Sequence, residues 1–125
     1  MNGLDVLCVR SFSMTFEEKA QGVGIVTFQG EYDLSNVEEA SAELKRLDRV
    51  RIAVVDLAKA EYMDSSMLGA LVDFYKRARV RNQQIAFVRP GDSLGRVLTI
   101  VGLDKILPLY DSLPEALKAA GAATK

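Results

Sequence analysis

Hydrophobic and polar residues alternate strictly over the segment 12–17, close to the beginning of the chain. A period of two is typical of a β-strand with one face on a core and the other in water. A second apolar stretch, 23–28, follows a turn that contains Gln21 and Gly22, so the two segments predict an antiparallel hairpin. Residues 1–11 are expected to form an arm or a further strand, whose apolar part is 4–9.

After residue 33 the pattern changes to helical spacing interrupted by short apolar runs. Runs that are almost continuously apolar are typical of parallel strands covered on both faces by helices. Pro108 lacks a backbone N–H and therefore places the last predicted strand at an edge of the sheet. Helices are predicted to begin near Ser35, Ser65, Ser93 and Ser112, and buried strands are predicted over 52–57, 85–88 and 106–109.

This order of elements predicts an α/β fold. We expect one domain, 12–120, with a mixed, mostly parallel sheet, an N-terminal hairpin and about four helices, followed by a tail, 121–125, that frays. Ser35 and Glu38 have the spacing of a capping box for the first helix. The predicted inward stripes are Leu68, Leu71, Val72 and Tyr75 on the second helix and Leu94, Val97, Leu98 and Val101 on the third.

The chain contains no histidine and a single cysteine, Cys8. Ser-His-Asp and Cys-His catalysis, as usually built, and the common zinc sites are therefore excluded. We expect a protein that is not an enzyme and that needs neither a metal nor a cofactor. Cys8 cannot form an intramolecular disulfide, which suits a reducing cytoplasm.

With 16 basic and 17 acidic residues, the formal net charge is −1. A nucleic-acid partner is not expected, since proteins that bind nucleic acids usually carry a basic excess. No apolar run approaches the ~20 residues of a membrane helix, and the first five residues lack the features of a signal peptide. Membrane insertion is therefore not expected, and the cytoplasm is the expected location. The basic cluster that closes the second helix complements the negative end of the helix dipole and consists of Lys76, Arg77, Arg79 and Arg81.

The strongest candidate site is the segment 57–69, which joins a predicted buried strand to an amphipathic helix. In α/β sheets, ligands and partners are met at the carboxyl ends of parallel strands. Asp64 and Ser65 are good N-cap residues and Ser66 would lie in the first turn, so ordinary helix capping explains all three. A rim of large apolar residues favours a docking surface instead, and it comprises Tyr62, Met63, Met67 and Phe74. For the last two residues, partial burial in the core is the alternative.

The second candidate is the segment Gly30-Glu31-Tyr32-Asp33, at the end of a predicted strand. It is typical of a turn, in which Gly30 supplies conformational freedom and Asp33 caps the following helix. The two acidic side chains, Glu31 and Asp33, could equally meet a basic partner.

Together these segments resemble the STAS family, and within it the bacterial anti-anti-sigma factors, over about residues 12–118. Family members typically carry Gly-Glu-Leu-Asp after an early strand, where this chain has the segment 30–33. They carry Met-Asp-Ser-Ser-Gly-Leu-Gly at the start of the second main helix, where this chain has Met63-Asp64-Ser65-Ser66-Met67-Leu68-Gly69. The segments 102–107 and 115–117 are similar to the Gly-Leu stretch and the closing helix of the family.

The resemblance implies a switch between partners. The unphosphorylated protein would bind an anti-sigma factor with a histidine-kinase-like ATPase fold and so free the sigma factor. That partner would phosphorylate Ser65, the first serine of the pair, and a serine phosphatase would reverse the reaction. This hypothesis requires an exposed Ser65 hydroxyl. The expected partner-binding residues are Glu31, Tyr32, Asp33, Met63, Asp64, Ser66, Met67 and Phe74.

Two positions depart from the family pattern, since Met67 replaces a glycine and Tyr32 replaces a leucine. Bulk at Met67 would change which partner fits, or would mark a domain that has left the phosphorylation cycle. An alternative is a STAS subunit of a transport or stress-signalling assembly, in which Ser65 only caps the helix. A further alternative is an enzyme with Asp56 or Asp64 as nucleophile or base, although the early acidic pair of magnesium-dependent phosphate receivers is missing.

Overall fold

A five-stranded sheet, in the order β1-β2-β3-β4-β5, organises the protein. The computed structural model describes residues 12–121, so the expected arm, 1–11, and most of the expected frayed tail lie outside the described residues. The strands are β1 (Phe12–Lys19), β2 (Val23–Tyr32), β3 (Ile52–Met63), β4 (Gln84–Val88) and β5 (Leu109–Tyr110). The α-helices of the described part are α1 (Val37–Lys45), α2 (Ser65–Val80), α3 (Asp92–Ile100) and α4 (Leu113–Ala119).

The strand directions confirm the predicted mixed sheet. β1 and β2 form the antiparallel hairpin, whereas the neighbours β2–β3, β3–β4 and β4–β5 are all parallel. β5 lies at an edge, as Pro108 predicts, but it is shorter than the expected 106–109. Residues 106–108 do not belong to the strand, because Ile106 and Leu107 donate their N–H groups back to the Leu103 carbonyl and continue a helical turn.

Helices cover both faces of the sheet. The larger core includes residues of α1, α2 and α3, and the smaller core on the other side is closed by α4 through Ala116 and Ala120. Residues 52–55 of β3 are 0% exposed, because consecutive side chains point into one core and then the other. This burial confirms the interpretation of their continuous apolar run.

The inward stripes of two helices differ from those predicted. On α2 the buried residues are Met67, Leu71, Phe74 and Ala78, while Leu68, Val72 and Tyr75 are only partly buried. Apolar side chains occupy both overlapping stripes, so the spacing alone does not decide between them. On α3 only Leu94 and Leu98 are buried, and Val97 and Val101 are 39% and 53% exposed. A nine-residue helix resting on one neighbouring layer buries a single narrow stripe.

Strands β2 and β3 run further than their apolar patterns indicate. They stay paired in parallel, as a ribbon, beyond β4, whose pairing with β3 ends at Asp56 and Val88, and β1 borders this ribbon as far as Gly30. The first part of the segment 57–69, expected only to join a strand to a helix, is therefore strand as far as Met63. Its pattern is mixed because helices do not cover the ribbon on both faces, and Ala58 and Lys59 are exposed. The ribbon brings the two candidate segments to the same end of the sheet.

Candidate functional site

The two candidate segments lie side by side where β2 and β3 end. Tyr32 is paired with Met63 in the parallel register, and the Asp64 N–H donates to the Tyr32 carbonyl oxygen at 3.1 Å. The last residues of the first segment therefore contact the first residues of the second, although the two are far apart along the chain.

The Asp64 carboxylate organises this junction. One oxygen, Oδ1, caps α2 by accepting from the Met67 N–H at 3.1 Å and also accepts from the Ser66 hydroxyl at 2.6 Å. The other, Oδ2, accepts from the Leu34 N–H at 3.1 Å. The hydrogen bond from Ser66 and those from backbone N–H groups lower the pKa of Asp64, and partial desolvation opposes them only in part. The carboxylate is therefore held ionised as the link between the turn after β2 and the start of α2.

The two neighbouring serines have different environments. Ser65 is the first residue of α2 and is exposed, as the switch hypothesis requires. Ser66 is partly buried, and its hydroxyl donates to Asp64. A protein that approaches this end of the sheet therefore meets the Ser65 hydroxyl, while that of Ser66 is already engaged.

The predicted capping box at the start of α1 is wrong. The helix begins one residue after Asn36, and the Ser35 N–H and hydroxyl both donate to Asp33 Oδ1, at 2.9 and 2.6 Å. Asn36 accepts from the Asp33 N–H and donates to the Glu31 carbonyl oxygen, at 2.9 and 3.0 Å. The Ser35 side chain therefore bonds to the aspartate two residues earlier instead of capping the helix. Such local hydrogen bonds, which compete with helix capping, are typical of Asp and Ser in turns. Asn36 was not among the predicted residues, and its position just before the first apolar helical residue, Val37, was the available signal.

Tyr32 is a packing residue rather than a partner contact, which corrects the prediction. Its side chain is 0% exposed, and its ring makes edge-to-face contacts with Phe12 and Phe28 at 5.7 and 5.2 Å between centroids. Its hydroxyl donates to the Ser13 carbonyl oxygen at 2.7 Å and accepts from the Gln29 N–H at 3.2 Å. Burial raises the pKa of Tyr32 to about 12. The phenol thus ties β1 to the irregular end of β2, where the pairing with β3 shifts register.

The apolar rim expected around the serines is also corrected. Met67 and Phe74 are 0% exposed and Met63 is 3% exposed, all within the larger core, because the inward stripe of α2 passes through Met67 and Phe74 rather than beside them. Met67 in place of the family glycine therefore adds bulk to the core and not to a contact with a partner. The exposed apolar side chains of this end are Tyr62, which was predicted, and Leu34, which was not, at 43% and 75% exposure.

The charged residues at the carboxyl ends of β2 and β3 and at the start of α1 are all acidic. Glu31, Asp33 and Asp64 are each partly exposed. The segments 31–39 and 61–66 contain no lysine or arginine, and their acidic residues are Glu31, Asp33, Glu38, Glu39, Glu61 and Asp64. The predicted basic cluster lies at the far end of α2, where Arg77 and Arg81 approach Asp48 at 3.6 and 3.4 Å. The candidate site is therefore suited to a basic protein surface.

Within residues 12–121, no group of three or more histidine, cysteine, aspartate or glutamate side chains is arranged to hold a metal ion. None of the helices in that range has the length and apolar character needed to span a bilayer.

Comparison with known proteins gives a family and a set of relatives. The family model for the STAS domain matches residues 17–116. The anti-sigma F factor antagonist of Paenibacillus polymyxa is 30% identical over 103 residues, which are 80% of this chain and 88% of that protein. A relative from Thermotoga neapolitana is 37% identical over 62 residues, so the chain spans only 55% of that protein's length.

Solved structures share the fold. An anti-sigma factor antagonist from Mycobacterium paratuberculosis superposes with a TM-score of 0.79 at 28% identity, over 88% of this chain and 94% of that one. The Bacillus cell fate determinant SpoIIAA, in its phosphorylated form, superposes with a TM-score of 0.65 at 17% identity, over 85% and 97% of the two chains.

Proposed function

The chain belongs to the STAS domain family, and from that premise we propose that it is an anti-sigma factor antagonist whose binding is switched at Ser65. The unphosphorylated form binds an anti-sigma factor of kinase-like ATPase fold and releases the sigma factor. The anti-sigma factor phosphorylates Ser65, and a serine phosphatase restores the binding form. The chain acts in the cytoplasm as a binding protein, and the catalysis belongs to its partners. The names of its relatives, as antagonists of anti-sigma factors, support the choice of partner.

The observation that carries the proposal is the exposed position of Ser65 at the first residue of α2. A helix N-terminus presents unsatisfied backbone N–H groups and the positive end of the helix dipole. A phosphoryl group of about −1.5 to −2 charges is therefore tolerated there without unfolding the helix. Reversible modification of a folded protein depends on that tolerance.

The acidic surroundings of Ser65 explain how modification would release a partner. Asp64 precedes Ser65, and Asp33 lies in the adjoining turn, so a phosphoryl group adds charge where the surface is already negative. A partner surface matched to the neutral hydroxyl would have to accommodate the extra bulk and desolvate the new charge. A loss of about 3 kcal/mol lowers affinity more than a hundredfold.

The hydrogen bonds also support Ser65 over Ser66 as the modified residue. The Ser66 hydroxyl donates to Asp64 at 2.6 Å, and this residue is partly buried. Phosphorylation of Ser66 would break that bond and set a phosphate against the Asp64 carboxylate, which caps the helix. Modification of Ser66 would thus damage the site that modification of Ser65 leaves intact.

The proposal is tested by comparing the binding of wild type, Ser65→Ala and Ser65→Asp to purified anti-sigma factors from the source genome. We expect wild type and Ser65→Ala to bind with similar affinity and Ser65→Asp to bind at least tenfold more weakly, from repulsion and desolvation. Equal binding by all three variants would contradict the switch and favour a STAS subunit of a transport or stress-signalling assembly, in which Ser65 only caps α2.

A further inference from the structure

Leu34 is an exposed apolar side chain held at the centre of the candidate site. It is 75% exposed, and its backbone N–H is bound by Asp64, the residue directly before Ser65. A single exposed leucine is common on protein surfaces. Leu34 differs because hydrogen bonds fix the backbone on both sides of it.

The turn that carries Leu34 is held by hydrogen bonds at each of its residues. Asn36 N–H donates to the Asp33 carbonyl oxygen at 3.1 Å, and Ser35 donates twice to the Asp33 carboxylate. Asn36 is buried, at 3% exposure. Its side chain accepts a hydrogen bond from the Asp33 N–H and donates one to the Glu31 carbonyl oxygen. A buried amide is tolerated only when its polar groups are satisfied. Here that amide fixes the turn on which Leu34 stands.

An exposed leucine on a fixed backbone is suited to act as an apolar anchor in an interface. Affinity is lost when flexible side chains and loops must be ordered on association, and a backbone that is already fixed avoids most of that cost. Interfaces can be built around an aromatic or aliphatic anchor that enters a pocket, with surrounding contacts that exclude water. The surroundings of Leu34 are the partly exposed carboxylates Asp33 and Asp64 and the exposed Glu38 and Glu39 at the start of α1.

We propose that Leu34 is the apolar anchor of the partner interface and enters an apolar pocket on the anti-sigma factor whose rim carries lysine or arginine side chains. This inference rests on the proposed function. Asp64 holds the anchor and the phosphorylation site at a fixed separation, because its two oxygens bond to the Leu34 turn and to the first turn of α2. A phosphoryl group on Ser65 would therefore stand beside the pocket that receives Leu34.

The test measures the dissociation constants of Leu34→Ala, Leu34→Met and Ile100→Ala against the purified anti-sigma factors that bind wild type. Ile100 is a matched control, since it is also 75% exposed but lies at the end of α3. We expect Leu34→Ala to raise the dissociation constant about tenfold or more, as the truncation of an anchor does. Leu34→Met, which keeps the apolar volume, and Ile100→Ala should stay within about threefold of wild type. All variants should melt close to wild type, because both positions are exposed.

A basic rim adds a second readout, because binding should weaken as salt is raised and the charges are screened. Binding of Leu34→Ala with wild-type affinity, or equal losses for Leu34→Ala and Ile100→Ala, would overturn the anchor while leaving the proposed function in place. Affinity that does not change with salt would overturn the basic rim. Failure of wild type to bind any anti-sigma factor would instead overturn the proposed function.

Discussion

Asp64 Oδ2 accepts a hydrogen bond from the backbone N–H of Leu34, a residue 30 positions earlier in the chain, at 3.1 Å. The same carboxylate caps the helix that begins at Ser65. One side chain thus joins the two segments of the candidate site and sets the position of the exposed leucine relative to the exposed serine.

The Asp64 junction should make stability depend on acid pH. Its pKa is lowered in the folded protein, so its stabilising effect is complete above the unfolded value of about 4 and is lost as the pH falls below it, through the lowered pKa. We expect Asp64→Asn to reduce the free energy of unfolding by about 1 kcal/mol at neutral pH. The deficit relative to wild type should shrink as the pH falls below about 4, as measured by urea unfolding.

Ser66→Ala is the matched variant for this measurement. The Ser66 hydroxyl is the main cause of the lowered Asp64 pKa, so its removal should move the acid transition of the protein to higher pH. A deficit of Asp64→Asn that stays constant between neutral and acid pH would contradict the assigned role of the carboxylate.

Ser65→Asp should leave the fold almost unchanged. A negative side chain in the first turn of a helix interacts favourably with the dipole by about 0.3–1 kcal/mol, and the neighbouring Asp64 opposes this effect. We expect a melting temperature within about 4 °C of wild type by circular dichroism. A drop of about 10 °C or more, corresponding to some 2 kcal/mol, would indicate that the helix start does not tolerate the charge. Loss of binding by this variant would then report unfolding and not repulsion.

Truncation of Met67 should lower stability but not affinity, whereas truncation of Leu34 should lower affinity but not stability. Met67 is 0% exposed, so Met67→Ala should lower the free energy of unfolding by about 2–5 kcal/mol through lost packing and a cavity. The affinity of the folded variant for an anti-sigma factor should change little. Leu34→Ala should weaken binding with little effect on stability. An unfolding curve and a dissociation constant for each variant separate the two effects. Weakened binding by a stably folded Met67→Ala would instead place Met67 in the interface.

Tyr32 should make the protein sensitive to alkali. Its pKa is raised from 10.0 to about 12 in the fold, so the neutral phenol stabilises the native state fully below pH 10, and this contribution is lost as the pH rises towards 12. The four tyrosines of the chain can be followed by near-ultraviolet absorbance. Wild type should show one tyrosine that ionises late, and Tyr32→Phe should lack it. Equally early ionisation of every tyrosine in the folded wild type would contradict the buried hydroxyl.

Local periodicity was sufficient for the order of strands and helices along the chain, the antiparallel hairpin and the helix start at Ser65. These features depend on residues close together in the chain, such as the alternation in β1 or the aspartate before α2. Gly102, just past the end of α3, has the left-handed backbone that glycine commonly adopts after a helix, with φ of 84°.

Features that depend on distant residues could not be predicted in this way. The extension of β3 to Met63 depends on pairing with β2, and the Leu34 backbone is bonded to Asp64, 30 residues later. The choice between two apolar stripes on α2 depends on which neighbours the helix meets, and this choice placed Met67 in the core. The motifs therefore indicated the two segments that meet where β2 and β3 end, but they did not separate the buried residues of those segments from the exposed ones.

The most direct test of the switch is a phosphorylation assay with ATP and the anti-sigma factor that binds wild type, with the modified residue identified by mass spectrometry. We expect one phosphoryl group on Ser65 in wild type and in Ser66→Thr, and none in Ser65→Ala. Equal phosphate uptake by wild type and Ser65→Ala, or modification of Ser66 in wild type, would contradict the switch at Ser65.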